Sequence, residues 1–429
     1  MARKLPRLQR ALNARALFSV AYGEIASSIY FALGVIALHA LGFTPAVLLV
    51  VGVIFLLVSL SYAEGTAAIP ETGGAATLVR RTFNDLAGFT TGWALFLDYL
   101  IVTAALRGQR ARHRQPPPPA LGRGRRSGRD CCHRTRPAGT ALEPLQLLDL
   151  RRGRRPGDAA AARRSRLRAL ALTRGALVRN LTRKLADWGE IAFALPLAFL
   201  AYTGLETVAN LAEEVRRPGL DLPRSLFSAI VVVVGVYVAI ALVGLSAFPA
   251  TGGETALGGE WLEAPLMGIV DALAGSLPGV LEWPLRVYVG ATAALILVAA
   301  ATTSISGFGR LAYSLGEHGQ LPRVFGRLHR RTLVSPQAIV AAAVISTALL
   351  IGTAVVRDDV VASLASLFSF GILLTFSAAQ LAVIALRVRE PDLPRPFRVP
   401  LGLHIGRVEI PLLAVVGLAL TLASGLSRS

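Results

Sequence analysis

The sequence predicts an all-α polytopic membrane protein, and two observations support that fold class. Hydrophobic residues make up 53% of the 429 positions and the mean hydropathy is +0.56, which is typical of a chain whose solvent is lipid. Apolar segments of roughly 20 residues, the length that crosses a bilayer as a helix, also recur along the chain. We predict nine of them, at 17–41, 46–70, 88–106, 189–212, 225–248, 284–308, 335–355, 361–386 and 408–427.

The distribution of arginine and lysine predicts how these segments are oriented. The N-terminus is basic, and every loop that alternation places on its side of the membrane also carries arginine. The opposite loops differ, since residues 249–283 contain five acidic side chains and no lysine or arginine. Because short basic loops stay in the cytoplasm, we expect a plasma-membrane protein with a cytoplasmic N-terminus. The first segment has full spanning length and no small-residue cleavage site, so we expect it to be retained.

One long stretch, residues 107–187, does not fit this pattern. Between Arg107 and Arg179 lie twenty arginines and four acidic residues, a net charge of +16 out of the formal +19 of the whole chain. The run Pro116–Pro119 excludes a spanning helix there, because proline removes backbone hydrogen bonds that lipid does not replace. The chain therefore divides into an N-terminal membrane part at 1–106, this Arg/Pro-rich stretch, and a second membrane part at 188–429.

Three interpretations of the Arg/Pro-rich stretch stay open. Low hydrophobicity with high charge is the composition of a disordered basic insertion. An arginine-rich arm for nucleic acid is the second, although the stretch has no aromatic residue to stack on bases, and we expect no nucleic-acid partner. Translation out of frame is the third and the favoured one, because a GC-rich gene read off frame yields runs of Arg, Pro, Ala and Gly. Two lost spanning helices would also leave the orientation of all later segments unchanged.

No metal, catalytic or cofactor site is predicted from the sequence. Cys131 and Cys132 are adjacent and have only His133 beside them, which is not the spacing of zinc ligands. We expect a protein that makes and breaks no bonds.

Two polar patches interrupt the apolar segments. The first runs over residues 22–34 and contains Ala26, Ser27, Ser28 and Ile29, and the second runs over residues 199–207 with Glu206 beside Gly204. Small residues can simply let helices pack closely, and Glu206 can bond to a neighbouring helix. Alternatively, each patch is a break in a discontinuous helix, and a pair of such breaks is the best sequence indication of a transporter site.

The residues of these patches resemble the amino acid–polyamine–organocation permeases. The pattern from Phe199 to Glu206, followed by Glu213–Pro218 and Asp221–Arg224, is similar to the sixth helix of that family and the loop after it. Other parts resemble its second helix and re-entrant turn, the end of its eighth helix and the loop after its tenth, at 61–75, 304–322 and 395–400. The resemblance implies the five-plus-five inverted-repeat fold, with the nine segments as helices 1–3 and 6–11 and the odd stretch in place of helices 4 and 5.

The resemblance also implies a binding site for an amino acid or related amine. Backbone N–H groups of Ser27, Ser28 and Ile29 would hold the substrate carboxylate, although Ala26-Ser27-Ser28 stands where many members have Gly-Ser-Gly. The α-amino group would meet carbonyls at Leu200 and Thr203, next to Gly204 and Glu206, with the ring of Tyr202 as a gate.

The resemblance leaves the coupling ion open between H⁺ and Na⁺. Hydroxyls of Thr302, Thr303 and Ser304 would supply a candidate ion site against the first helix, although hydroxyls in membrane helices often bond to their own backbone. The predicted function is a secondary permease that works by alternating access. The alternatives are a channel, a non-transporting sensor, and a chain that does not function because helices 4 and 5 are missing.

Overall fold

The computed structural model describes residues 10–112, 188–248, 254–262, 264–274, 279–326, 335–356, 360–405 and 408–426. Within these ranges the chain is mainly helical. Its α-helices are α1 Ala14–Ser27, α2 Ile29–Ala40, α3 Thr44–Ala68, α4 Gly74–Thr82, α5 Asp85–Arg112, α6 Trp188–Ala198, α7 Leu205–Asn210, α8 Pro218–Ala247, α9 Pro265–Ala274, α10 Gly279–Glu317, α11 Pro336–Val356, α12 Val360–Arg389 and α13 Leu412–Leu426. Three 3₁₀ turns, Leu41–Phe43, Phe199–Tyr202 and Ala212–Glu214, complete the helical part.

Several helices are long and apolar enough to cross a membrane. Among the described residues these are Ala32–Ala68, Pro218–Ala247, Trp283–Glu317 and Ser366–Arg389, and shorter apolar helices cover Gly189–Tyr202, Pro336–Leu349 and Leu412–Gly425. The polytopic helical class is thereby confirmed, whereas the total of nine spans and the inverted repeat stay predictions. Large apolar side chains such as Leu295 and Val340 are 69% and 62% exposed, as lipid-facing residues are.

Local sequence explains where the helices begin and turn. The Asn13 side chain accepts a hydrogen bond from the Ala16 N–H at 3.0 Å and caps α1. Proline stands in the first turn of both α3 and α8, where it lacks only an N–H that would have no helical partner. Between α3 and α4 the chain reverses at Gly73, whose φ of +113° favours glycine, and this turn lies in the region predicted to be re-entrant.

The third predicted segment and the last one differ from the structure at their ends. The helix predicted at 88–106 runs from Asp85 to Arg112, six residues beyond the change in composition. The last segment begins as the strand Val408–Pro411, which pairs antiparallel with Gly402–Ile405, so that Gly402 lies opposite Pro411 and Ile405 opposite Val408. The prediction of a purely helical chain missed this hairpin. Leu403-His404-Ile405 and Val408-Glu409-Ile410 do alternate apolar and polar residues, but strands of four residues are too short for that pattern to stand out beside an apolar span. The stretch at 113–187, with its three interpretations, lies outside the described residues.

The core of the described bundle is built around the first interrupted helix. α1 and α2 pack against α8, α10, α6 and the segment at 199–210. The largest fully buried side chains include Tyr62, Tyr202, Tyr237, Phe55 and Phe376. This arrangement brings both polar patches of the sequence into the interior, where unpaired polar groups are costly.

Candidate functional site

The first predicted interruption is a tight break at Ser28. α1 ends at Ser27 and α2 begins at Ile29, while the Ser28 N–H still bonds to the Ile25 carbonyl at 3.1 Å. Ser27, Ser28 and Ile29 are buried, and Ala26 in the last turn of α1 is partly buried. The sequence therefore located the break correctly, but the backbone turns over one residue instead of unwinding.

The second interruption is wider and depends on a glycine. After α6 the chain tightens into the 3₁₀ turn Phe199–Tyr202, becomes extended at Thr203 and passes through Gly204 with φ +114° before α7. A Cβ at Gly204 would lie 2.5 Å from Cγ of Glu24, so both the backbone conformation and the space require glycine. Leu200 and Thr203, the predicted partners of an α-amino group, are each 4% exposed.

The two interruptions touch each other. The hydroxyls of Ser28 and Thr203 are 2.6 Å apart and share a hydrogen bond. A third group joins them, because the Tyr237 hydroxyl on α8 contacts the Ile25 carbonyl of the first break and lies 2.8 Å from the Ala201 carbonyl of the second. Residues 175 positions apart in sequence thus form one buried polar centre.

The side chain of Tyr202, the predicted gate, is held by contacts of both its hydroxyl and its ring. Its hydroxyl donates to the Leu48 carbonyl on α3 at 2.7 Å, and its ring packs against those of Phe55 and Tyr237. The side chain is fully buried. The structure thus describes one position of this ring, and the gating role stays a prediction.

The three hydroxyls proposed for an ion site have different surroundings. Thr303 and Ser304 of α10 both donate to the carboxylate of Glu24 on α1, Ser304 at 3.1 Å. Thr302 is exposed and bonds to its own helix, at the Val298 carbonyl at 2.8 Å. The Thr303 hydroxyl also lies within bonding distance of its own helix, 2.9 Å from the Ala300 carbonyl. The structure brings two of the three predicted residues to the first helix, and there they meet a carboxylate that the sequence reasoning had not assigned.

Glu206 belongs to a second group of buried polar side chains. One of its oxygens accepts the Gly204 N–H at 3.2 Å, and the other has no hydrogen-bond partner. Asp98 on α5 is another buried acid, 3% exposed, and one of its oxygens has no hydrogen-bond partner in the described part of the chain. Close by, the Asn210 amide donates to the Tyr99 hydroxyl at 2.7 Å. Among the described residues Glu206 shows no hydrogen bond to a neighbouring helix, and that alternative role stays a prediction.

Sequence reasoning missed Glu24, Asp98 and Tyr237 as members of this centre. The two acids carried a usable signal, since an ionisable residue inside an apolar span is a functional candidate by default. Tyr237 carried none, because one tyrosine in a spanning helix is unremarkable until its hydroxyl is placed between two carbonyls.

Comparisons with known proteins give consistent results. A family model described as amino acid permease matches residues 177–425, more than half of the chain. The branched-chain amino acid permease BcaP of Bacillus subtilis (strain 168) is 24% identical over 385 residues, which are 84% of this chain and 76% of that protein. The methylthioribose transporter of the same organism is 25% identical over 92% of this chain and 84% of its own length. The polyamine transporter PUT1 of Oryza sativa subsp. japonica is 30% identical over 46% of this chain and 33% of its own length.

Proposed function

The chain belongs to the amino acid permease family, and on that premise we propose that it is a secondary transporter of amino acids or related organic cations that works by alternating access. The observation that carries the proposal is the contact between the two helix breaks, at the Ser28 and Thr203 hydroxyls. Helix breaks in a membrane interior are tolerated where backbone groups line a site, so two breaks in contact favour a site for one small molecule.

The proposed roles follow from the polarity of helix ends. α2 begins at Ile29, and its N-terminal dipole favours the substrate carboxylate, which we place at the N–H groups of Ser27, Ser28 and Ile29. In this proposal the Ser28 N–H exchanges its bond to the Ile25 carbonyl for one to the carboxylate. The carbonyls at Leu200 and Thr203 lie at the C-terminal side of α6, where a positive α-amino group is favoured. In this proposal an amino acid lies between the two breaks with its charges aligned to both dipoles.

The transport cycle we propose moves one part of the bundle against the other. The spans at 17–41, 46–70, 189–212 and 225–248 rock as a unit, within a five-plus-five inverted repeat, and expose the site to each side in turn. We place the protein in the plasma membrane with its N-terminus in the cytoplasm, since the loops on that side are basic. Tyr202 closes the site from one side in this scheme.

For coupling we propose an ion site at Glu24, Thr303 and Ser304. The two hydroxyls hold the carboxylate between α1 and α10, and a proton or a sodium ion there would neutralise it. Thr303→Val should therefore weaken gradient-driven uptake, whereas the matched variant Thr302→Val, one position away on an exposed face, should not. Equal uptake by the two variants would remove Thr303 from the ion site.

Uptake into proteoliposomes tests the proposed function directly. The purified chain should accumulate labelled amino acids or amines in a saturable way when a proton or sodium gradient is imposed. Non-saturable flux would indicate a channel, and binding without uptake would indicate a sensor. Absence of both uptake and binding would favour the third alternative, a chain made non-functional by the loss of helices 4 and 5. In that case another reading frame of codons 100 to 190 should encode two apolar spans.

A further inference from the structure

A cleft lined mainly by cationic side chains lies at the end of α12. It encloses about 430 Å³, including its open mouth. Its lining residues are Arg387, Pro391, Arg395, Arg398, His404 and Glu409. Arg387 stands in the last turn of α12, whereas His404 and Glu409 lie opposite each other on the two strands of the hairpin. The hairpin thus closes a basic cleft against the end of a long helix.

The position of the cleft is the level of lipid headgroups. The apolar helix Ser366–Arg389 ends beside it, and the apolar helix Leu412–Gly425 begins directly after the hairpin. Arg81, in the last turn of α4, pairs with Glu390 at 3.5 Å, so the cleft lies on the side that we place in the cytoplasm. The cytoplasmic leaflet carries the anionic phospholipids of a cell membrane, and these lipids reach the cleft.

The ion pairs at the cleft leave a positive charge over. Glu64 is buried behind the lining, where it accepts hydrogen bonds from Nε and Nη2 of Arg387 and lies 3.6 Å from Nε of Arg395. Glu409 lies 3.0 Å from Nη1 of Arg387 and 3.4 Å from Nη1 of Arg398. Three guanidinium groups therefore face two carboxylates, and one positive charge has no counterpart among these five side chains.

Two of the arginines keep hydrogen-bond donors for a further anion. The side chain of Arg387 is 3% exposed, and its Nη1 has no aligned hydrogen-bond acceptor among the described residues. Arg398 is 59% exposed, and its one hydrogen bond within the described ranges runs from Nη1 to Glu409 at 3.4 Å. Arg395 differs, because it donates to four carbonyls around the end of α12. An anion in the cleft would thus meet donors of Arg387 and Arg398.

These donors and the surface around them fit the phosphodiester of a lipid. Guanidinium groups bind phosphate oxygens through paired N–H donors, and a phosphodiester carries the single negative charge that the cleft lacks. Leu401, Leu403 and Leu412, at the hairpin and its two ends, are 67%, 48% and 42% exposed. Exposed apolar side chains beside basic ones are typical of a surface that lies between headgroups and acyl chains. A small soluble anion would leave these leucines without a partner.

We propose that the cleft binds the phosphodiester of an anionic phospholipid of the cytoplasmic leaflet, such as phosphatidylglycerol. Nη1 of Arg387, Arg398 and His404 hold the phosphate, and the acyl chains lie against the leucines of the hairpin. Because Glu409 contacts the same two arginines, its carboxylate competes with the phosphate. The bound lipid fastens the hairpin to the end of α12. This site shares no residue with the helix breaks, so it does not depend on what the chain transports.

Lipid competition in detergent micelles tests the proposal with the full chain. The purified protein receives equal amounts of phosphatidylglycerol and phosphatidylcholine, and native mass spectrometry counts the lipids that stay bound. Neutral micelles contain no anionic leaflet, so general attraction to a charged surface does not contribute. Bound phosphatidylglycerol should exceed bound phosphatidylcholine about fivefold or more, the ratio expected for one arginine contact. Equal binding of the two lipids would overturn the proposal and leave the permease function untouched.

Soluble competitors separate a lipid from a free anion. Glycerophosphoglycerol, which is the same headgroup without acyl chains, and inorganic phosphate should not displace phosphatidylglycerol at equal concentration, because neither contacts the leucines. Displacement by either compound would contradict the assignment to a lipid and indicate a site for a soluble phosphate compound.

Variants locate the site. Arg398→Gln should lower the ratio of phosphatidylglycerol to phosphatidylcholine about fivefold, and Glu409→Gln should raise it because the competing acceptor is gone. Arg217→Gln is the matched control, since Arg217 is also exposed, at 73%, and lies 4.0 Å from one carboxylate, that of Asp221. Retained phosphatidylcholine binding shows that each variant is folded. The assignment fails if the ratio survives in Arg398→Gln, falls in Glu409→Gln, or drops equally in Arg217→Gln.

Discussion

Two buried carboxylates of this protein, Glu64 and Glu206, differ in their hydrogen-bond and ion-pair partners. Glu64 on α3 accepts hydrogen bonds from Arg387 at 2.7 and 2.5 Å and from the Val399 N–H at 2.7 Å, with Arg395 at 3.6 Å. Glu206 is as deeply buried, but within the described ranges its carboxylate accepts one hydrogen bond, from the Gly204 N–H. The paired carboxylate joins the second predicted span to α12 and the loop after it, so it stabilises the fold. The unpaired one is left with bonding capacity for a ligand.

The largest expected change in stability follows from substituting Glu64. The substitution Glu64→Gln would remove the carboxylate beside Arg395 and one of the two carboxylates that pair with Arg387, whose other partner is Glu409 at 3.0 Å. The free energy of unfolding is expected to fall by about 3 kcal/mol, the lower end of the range for a broken buried ion pair. Thermal unfolding in detergent micelles measures the change. Glu390→Gln serves as the control, because its ion pair with Arg81 is about 40% exposed on both sides and should contribute less than about 1 kcal/mol. Equal shifts for the two variants would show that burial of the Glu64 pair does not matter.

A smaller loss is expected at the glycine of the second break. In Gly204→Ala the new Cβ would lie 2.5 Å from Glu24 Cγ, and φ +114° is unfavourable for alanine, so the loss should be roughly 1–3 kcal/mol. Substrate uptake should fall with it. Gly235→Ala in α8 is the matched control, since nothing lies within 4 Å of its Cβ, and it should be neutral or stabilising. A Gly204→Ala protein that is stable and active would argue against a tightly packed break.

The contact between the two breaks should contribute less again. Ser28→Ala removes the hydroxyl that bonds to Thr203 at 2.6 Å, and the expected loss of stability is about 0.5–1.5 kcal/mol. Because the contact lies in the proposed site, the apparent substrate affinity should also change. In the control Ser246→Ala the lost hydroxyl bonds only to its own helix, at the Leu242 carbonyl, and uptake should be retained. The same phenotype in both variants would contradict a special role for the contact.

The smallest effect on stability is expected at Glu206, and this prediction tests the comparison most directly. Glu206→Gln keeps the shape and the acceptor for the Gly204 N–H and removes a carboxyl that has no cationic partner among the described residues, so the free energy of unfolding should change by less than about 1 kcal/mol or rise. Thermal unfolding beside Glu64→Gln checks it. A loss as large as that of Glu64→Gln would mean that Glu206 also stabilises the fold.

Much of the fold could be predicted because lipid imposes a simple pattern on the sequence. Long apolar segments identified the helices, and small polar patches identified both breaks to within a few residues, including Ser28 and Gly204. The partners in these contacts could not be predicted. Glu24 meets Thr303 across 279 positions and Glu64 meets Arg387 across 323, and no local pattern specifies such pairs.

The sequence by itself determined that the protein lies in a lipid bilayer, where its helical segments are and where two helices break. Each of these properties depends on the polarity and size of residues that are neighbours in sequence. Only the tertiary structure decided which buried acid has a cation beside it. Glu64, Asp98 and Glu206 look alike as acids in apolar segments. Whether such an acid stabilises the fold or is available to a ligand depends on the side chains that other helices bring within bonding distance. In an interior of low dielectric constant, the presence or absence of a cationic partner largely sets the free energy of burying a carboxylate.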